Sequence, residues 1–431
     1  MINKEILARI VKDFESWQVP ELIERDIKVT LDLPINRATA IIGPRRAGKT
    51  SLMYSLIGKL IKDGVKKDRI LYVNFETPKL LEADAFDLES LLELMNEISP
   101  PKKNDKNWLF FDEIQLVKKW ETGIRSLLDK GNNKIFLTGS SSNLLSKEIA
   151  TGMRGRTISR VVLPFSFNEF LKFKNIKTGK YYSTVEIGKM HGLFVDYLKH
   201  GGYPEAVLHK AEWEKIINEI LEVTIYRDVI ERHRIRNTKA VKLMLNQLIR
   251  AKEFSVHGFF NYLKSLNFKI SKNTLYEYLE YFSDAFVFFP LYKYSPSIKI
   301  TDQSIPKMYV VDNALISSIS SGDKGKKLEN LVLLELLRRG YETNKSVFYY
   351  SDRTGEVDFV LKEGSKVVSL IQVCYDISDY VTKKRELDPL LKTSGDFRCK
   401  DLKVITNDYE AKETHNGKKV VFVPAWKWLT S

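Results

Sequence analysis

Cysteine is almost missing from this chain of 431 residues, which has only Cys374 and Cys399. Two thiols are too few for a disulfide framework and fit a reducing compartment. Long apolar runs are also lacking. Stretches such as Ala285-Phe286-Val287-Phe288-Phe289 fall far short of the roughly 20 residues a membrane span needs. The amino terminus, Met1-Ile2-Asn3-Lys4-Glu5, lacks the basic-then-apolar layout of a signal peptide. Together these absences predict a cytoplasmic protein without a membrane partner. The six histidines show no metal-ligand spacing with the two cysteines, and no G-x-S-x-G elbow occurs, which removes zinc-site and serine-hydrolase readings. No internal repeat or low-complexity tract is present.

What is present is dense. Residues 43–50 read Gly43-Pro44-Arg45-Arg46-Ala47-Gly48-Lys49-Thr50, with Ser51 next, a complete G-x-x-x-x-G-K-[ST] phosphate loop. An apolar run at 39–42, suited to a buried strand, precedes it, and an apolar helical pattern at 51–57 follows, the setting such a loop requires. Its glycines let backbone N–H groups turn toward phosphates, Lys49 reaches the β- and γ-phosphates, and the Thr50 hydroxyl suits Mg²⁺. Residues 43–51 are therefore predicted to bind a nucleoside triphosphate, taken as ATP, with Mg²⁺. Trp108-Leu109-Phe110-Phe111-Asp112-Glu113 supplies the second half of such a site. Four apolar residues form a strand that delivers two carboxylates to its carboxyl end, where open α/β sheets bind ligands. Asp112 is expected to hold Mg²⁺ through water, and Glu113 to orient and deprotonate the attacking water, because phosphoryl transfer needs mainly positioning and charge neutralisation. The next strand, 135–138, opens into Gly139-Ser140-Ser141-Ser142, where a polar side chain would lie beside the γ-phosphate. Arg154 and Arg156 follow, and an arginine there would neutralise transition-state charge in its own subunit or in a neighbour's.

Up to residue 163 the pattern alternates between strands (39–42, 69–75, 108–111, 134–138, 160–163) and helices (from 48, 85–98, 120–129), the signature of a parallel sheet with helices on both faces. Residues 165–250 read as helical. At 255–289 the pattern is helix, turn, helix, with Ser255 and Ser271 as N-caps. A helix at 328–339 then leads into strands at 347–350, 357–361 and 367–374. The predicted domains are 1–165, 166–320 and 321–431.

The motifs GPRRAGKTSL at 43–52, LFFDEIQ at 109–115 with Trp120-Glu121, IFLTGSSSNLLS at 135–146 and GRTISRVVLPFSFNEFL at 155–171 resemble, in order, those of AAA-type P-loop ATPases widespread in archaea and bacteria. Tyr226-Arg227-Asp228, the 255–289 helices and Gly355-Glu356-Val357-Asp358-Phe359 extend the resemblance more loosely. It implies an α/β fold: an AAA-type parallel sheet, then a helical and winged-helix domain, then a small α/β domain like that of restriction endonucleases. It also implies site roles for Gln115, Ser140 and Arg156, and matches Arg25 to an arginine ahead of the first strand. Such domains often form rings, so a homo-oligomer is expected.

Net charge is +14, and residues 171–310 carry most of the excess, which suggests a polyanionic partner, DNA, or else a solvated lysine-rich surface. In the 255–289 region Lys272 and Asn273 are the base-reading candidates, while Glu277, Glu280 and Asp284 would face phosphates unfavourably. Non-specific phosphate contact through Lys264, Lys269, Lys293 and Lys299 is therefore favoured over base reading, with a structural or protein-docking module as the alternative. In the last domain Glu329 and Asp358 match the acidic positions of the endonuclease fold, but Gln372-Val373-Cys374 stands where Glu-x-Lys belongs. No nuclease activity is expected. The sequence thus predicts an ATPase coupling hydrolysis to conformational change on DNA, or alternatively a nucleotide-controlled switch with a protein partner.

Overall fold

A computed structural model describes residues 2–139, 152–320 and 323–431. The chain divides into two compact units, Met1–Leu163 and Pro164–Ser431.

The first unit is built on five parallel strands in the order β2-β3-β4-β1-β5: β1 Ala38–Ile42, β2 Ile70–Asn74, β3 Asn107–Asp112, β4 Asn133–Gly139 and β5 Thr157–Val161. This is the sheet of P-loop NTPases. Every residue of β1 and β3 is buried, as expected of central parallel strands covered on both faces. Helices α1 (Lys4–Ser16), α2 (Lys49–Lys62), α3 (Ala85–Ile98) and α4 (Trp120–Asp129) supply the cover. Leu52, Met53, Leu56, Ile57 and Leu60 recur at helical spacing along α2 and pack with Ile41, Phe110 and Phe136 of the sheet. The start of α3 is fixed by a capping box between Asp84 and Asp87, which satisfies two otherwise orphaned N–H groups. The parallel register places Asn74 beside Asp112, Phe111 beside Leu137, and Ile42 beside Gly139. The carboxyl ends of β1, β3 and β4, the last two carrying Asp112 and Thr138, therefore meet at one edge.

The second unit begins with helices, including Thr184–His200 and Trp213–Val223, the latter running into a π-helical stretch at Thr224–Glu231. Helices Val256–Ser265 and Lys272–Asp284 start at Ser255 and Ser271, whose side chains accept from the N–H groups of Gly258 and Thr274. They pack through Phe259, Leu275 and Phe282, all fully buried, and are followed by an antiparallel strand pair, β6 (Phe288–Leu291) and β7 (Lys307–Val310). A mixed six-stranded sheet of order β12-β13-β11-β10-β9-β8 completes the unit. Its strands are β8 Val347–Asp352, β9 Gly355–Glu363, β10 Lys366–Cys374, β11 Leu402–Thr406, β12 Ala411–His415 and β13 Lys418–Pro424. Helix Tyr380–Asp396 packs on β9 and β10 through Leu387, Leu390 and Leu391. No helix among the described residues is long and apolar enough to cross a membrane.

Candidate nucleotide site

Residues 43–48 form the turn from β1 into α2. Gly43 has φ +148°, and a Cβ there would lie 2.1 Å from the Val162 carbonyl oxygen just after β5, so the loop runs where no side chain fits. Gly48 has φ +93°, in left-handed space that favours glycine. Arg46, between them, is also left-handed, with φ 57°. Pro44 and Ala47 are buried, while Arg46 and Ser51 are exposed. Gly48 is the N-cap of α2 and offers no side chain to the first helical N–H groups. Those donors and the helix dipole are an anion site. Arg25 braces the loop by donating to the Ala47 carbonyl at 2.8 Å and to the Leu163 carbonyl at 2.6 Å.

Lys49 is buried, and its ammonium donates to the Gly43 and Pro44 carbonyls at 3.1 and 2.9 Å. Thr50 Oγ1 donates to Asp112 Oδ2 at 2.7 Å. That bond joins residues from two predicted motifs, across the sheet edge. Tyr72 on β2 donates to the same oxygen at 2.9 Å. The other carboxylate oxygen of Asp112 accepts from Thr138 Oγ1 on β4. The hydroxyl of Thr50 and the carboxylate of Asp112 are the hard oxygen donors that Mg²⁺ takes, and they are already adjacent, so the residues fit a metal–triphosphate.

Glu113 follows β3 in a left-handed conformation, φ 52°. Its N–H donates to Thr138 Oγ1 at 2.9 Å, and its carboxylate accepts from the Gln115 amide. Burial pushes the Glu113 carboxyl upward in pKa, and the Lys49 ammonium and Gln115 oppose that only in part. A carboxylate raised in this way is a better proton acceptor. Gln115 keeps a buried Oε1 with no hydrogen-bond partner among the described residues.

Of the residues singled out from sequence, the structure brings together Lys49, Thr50, Asp112, Glu113 and Gln115. Ser140 lies outside the described residues. Arg156 is elsewhere: its carbonyl accepts from the Ala38 N–H at the start of β1, and its guanidinium pairs with Asp129. The length of β1 separates it from the phosphate loop, about 15–20 Å at the usual rise of a strand. Thr138 and Tyr72 were missed. For Thr138 the available signal was a hydroxyl ending the apolar run 135–137 directly before a glycine.

In the second unit, Lys264, Lys272, Asn273, Glu277 and Glu280 are exposed on the helix pair, as are Lys269 in the turn between the two helices and Lys299, and Lys293 is half-buried. Glu329 and Asp358 both accept from the Lys307 ammonium, and the Asp358 carboxylate also accepts from the Val373 N–H. Cys374 is buried, and its thiol donates to the Asp376 carbonyl.

A family model described as an AAA domain matches residues 35–171, and two domains of unknown function, DUF8612 and DUF4143, match residues 191–326 and 324–426. The chain is 42% identical to uncharacterized protein MJ1544 of Methanocaldococcus jannaschii over 99% of this chain and 96% of that protein. It is 29% identical to an uncharacterized protein of Haemophilus influenzae, covering 90% of this chain and 93% of that one. Among solved structures, the Walker-type ATPase PABY2304 of Pyrococcus abyssi aligns at 15% identity and a TM-score of 0.43, over 74% of this chain and 96% of that chain.

Proposed function

The chain belongs to the same family as MJ1544 and carries an AAA domain, and from that premise we propose that it hydrolyses ATP with Mg²⁺ and couples turnover to conformational change on DNA. The observation that carries this reading is the Thr50–Asp112 hydrogen bond of 2.7 Å. It supports the reading because it joins the hydroxyl of the phosphate loop to the carboxylate at the end of β3.

Each residue then has a task. The open N–H groups of α2 and Lys49 bind and orient the phosphates. Thr50 and Asp112 would hold Mg²⁺, which supplies charge neutralisation when bound. Glu113, fixed through its N–H by Thr138 and through its carboxylate by Gln115, orients the water and accepts its proton. Ser140 is assigned to sensing the γ-phosphate. Arg156, at the opposite end of the sheet, is assigned to a neighbouring subunit's site in a homo-oligomer.

The DNA part rests on charge: +14 overall, with Lys264 and Lys272 exposed on the helix pair and Lys269 exposed in the turn between them. A second reading, a nucleotide-controlled switch with a protein partner, is favoured by Glu277 and Glu280 on the exposed face of the second helix. Steady-state ATP turnover with and without single-stranded and duplex DNA tests both. Lys49→Ala should lose tight ATP binding, and Glu113→Gln should keep binding while turnover falls by about 10²-fold or more. Parent-like hydrolysis by both variants refutes the ATPase assignment. Turnover and retention that ignore DNA and salt favour the protein-partner reading, because phosphate contacts weaken steeply with salt.

A further inference from the structure

Lys307 on β7 has no exposed surface at all. Its ammonium lies 2.9 Å from Glu329 Oε1, 2.7 Å from Glu356 Oε1 and 2.8 Å from Asp358 Oδ1. Glu329 comes from the helix Lys324–Arg338, and Glu356 and Asp358 from β9. The Tyr309 hydroxyl, two residues along the same strand, donates to Glu329 Oε1 at 2.7 Å. Lys252 approaches from the outer side, 3.1 Å from Glu356 and 3.4 Å from Glu329, and borders a cleft of about 440 Å³.

A fully buried ammonium among three carboxylates from two separate elements is not a surface ion pair. In the interior each charge is costly unless it is matched and hydrogen-bonded. Lys307 answers three carboxylates at once, donating hydrogen bonds to Glu329 and Asp358 and pairing with Glu356 through charge. A divalent cation would satisfy the same oxygens by coordinating them. Among the described residues no set of acidic, histidine or cysteine side chains is arranged to hold a metal ion; here the acidic side chains converge on nitrogen instead.

We propose that Lys307 is an internal cation: its ammonium fills the place of a divalent ion among Glu329, Glu356 and Asp358, and so latches the β6–β7 pair onto the six-stranded domain. The cluster is closed to metal while Lys307 is in place. It becomes a divalent-cation site when the ammonium is removed. Lys252 cannot replace it, because its ammonium reaches the cluster from the solvent side and sits 3.9 Å from Asp358.

The test is Mn²⁺ binding to the nucleotide-free, full-length chain, read from the electron paramagnetic resonance signal of free Mn²⁺. Lys307→Met should take up one Mn²⁺ more than the parent, and adding Asp358→Asn to it should abolish that uptake. Lys252→Ala should bind no more than the parent. The proposal fails if the parent already binds Mn²⁺ in a way that Asp358→Asn removes. It fails equally if folded Lys307→Met gains no Mn²⁺. Should Lys307→Met not fold, the triple variant Lys307→Met, Glu329→Gln, Asp358→Asn decides: recovery of a cooperative melt supports the charge latch, and failure to recover overturns it.

Discussion

Replacing Thr138 with valine isolates one hydroxyl that joins the two acidic residues of the nucleotide site. Thr138 is 1% exposed, donates to Asp112 and accepts the Glu113 N–H at 2.9 Å. Valine keeps the shape and removes both bonds. Asp112 retains Thr50 and Tyr72 as donors, so its loss sits near the low end for a hydrogen bond to a charged group. The Glu113 N–H loses its acceptor beside a buried strand end. Together these losses amount to about 2–4 kcal/mol of stability. The kinetic effect follows from backbone geometry. Glu113 is held at φ 52°, a conformation that non-glycine residues adopt only when surrounding structure imposes it. Releasing its N–H lets the carboxylate drift, and a misplacement near 1 Å costs about 10²-fold in rate. Steady-state turnover of Thr138→Val should therefore fall by about 10–100-fold, with nucleotide affinity changed far less, since Lys49 and the loop are untouched. Thr138→Ser keeps the oxygen and should stay close to the parent. Parent-like kcat in the valine variant, or an equal loss in the serine variant, would refute the reasoning.

Other expectations concern the loop, acid stability and the buried ammonium. Gly43→Ala should damage nucleotide binding and thermal stability more than Gly48→Ala. Its Cβ meets a backbone oxygen at 2.1 Å, whereas the Gly48 Cβ meets the end of the Arg25 side chain at 3.1 Å; the strain at Gly43 is on the order of 1–3 kcal/mol, and a reversed order in melting experiments sinks the argument. Burial pushes the Asp196 carboxyl up, but hydrogen bonds from His200 and Lys210 outweigh it and hold the pKa at about 2. Because the folded value lies below the unfolded one, the stabilisation is complete above the ordinary carboxylate range and drains away as pH falls from about 4 to 2. Asp196→Asn should remove about 1–2 kcal/mol of that acid dependence, and identical pH–stability curves would count against the pairing. Lys307→Met without added metal should cost about 3–5 kcal/mol, the range for breaking a buried pair by deleting one partner, measured by urea unfolding of the second unit.

The parts of the site that could be read from sequence are those written in consecutive residues. The phosphate loop and the Asp112-Glu113 pair each carry their chemistry within a few positions, and apolar runs place both at strand ends. The helices expected at 85–98 and 120–129 form at Ala85–Ile98 and Trp120–Asp129, because each has a clear apolar stripe and α3 a capping box. Thr138 and Tyr72 belong to a different kind of information. Each is an ordinary hydroxyl until parallel register sets β2 and β4 on either side of β3, and no spacing rule encodes that neighbourhood. Strand β12, Ala411–His415, has no buried residue and so offered no apolar alternation to detect.

Charge illustrates the same limit in a form that bears on function. Lys252 and Lys307 both lie within the basic segment 171–310, and a count of ionisable residues assigns them to an exposed, phosphate-seeking surface. Lys307 is instead wholly enclosed by carboxylates from residues 329, 356 and 358, and Lys252 faces the same group. Those acids lie beyond residue 310, so a segment-by-segment tally assigns the cations to one part of the chain and their counter-charges to another. The field that a DNA strand would meet is set by what remains outside such pairs, chiefly lysines such as Lys264, Lys269 and Lys272 on the helix pair and the turn between its helices, with Glu277 and Glu280 exposed nearby. Screening is strong at that exposure, so DNA affinity should depend on a few well-placed phosphate contacts rather than on the chain's total of +14.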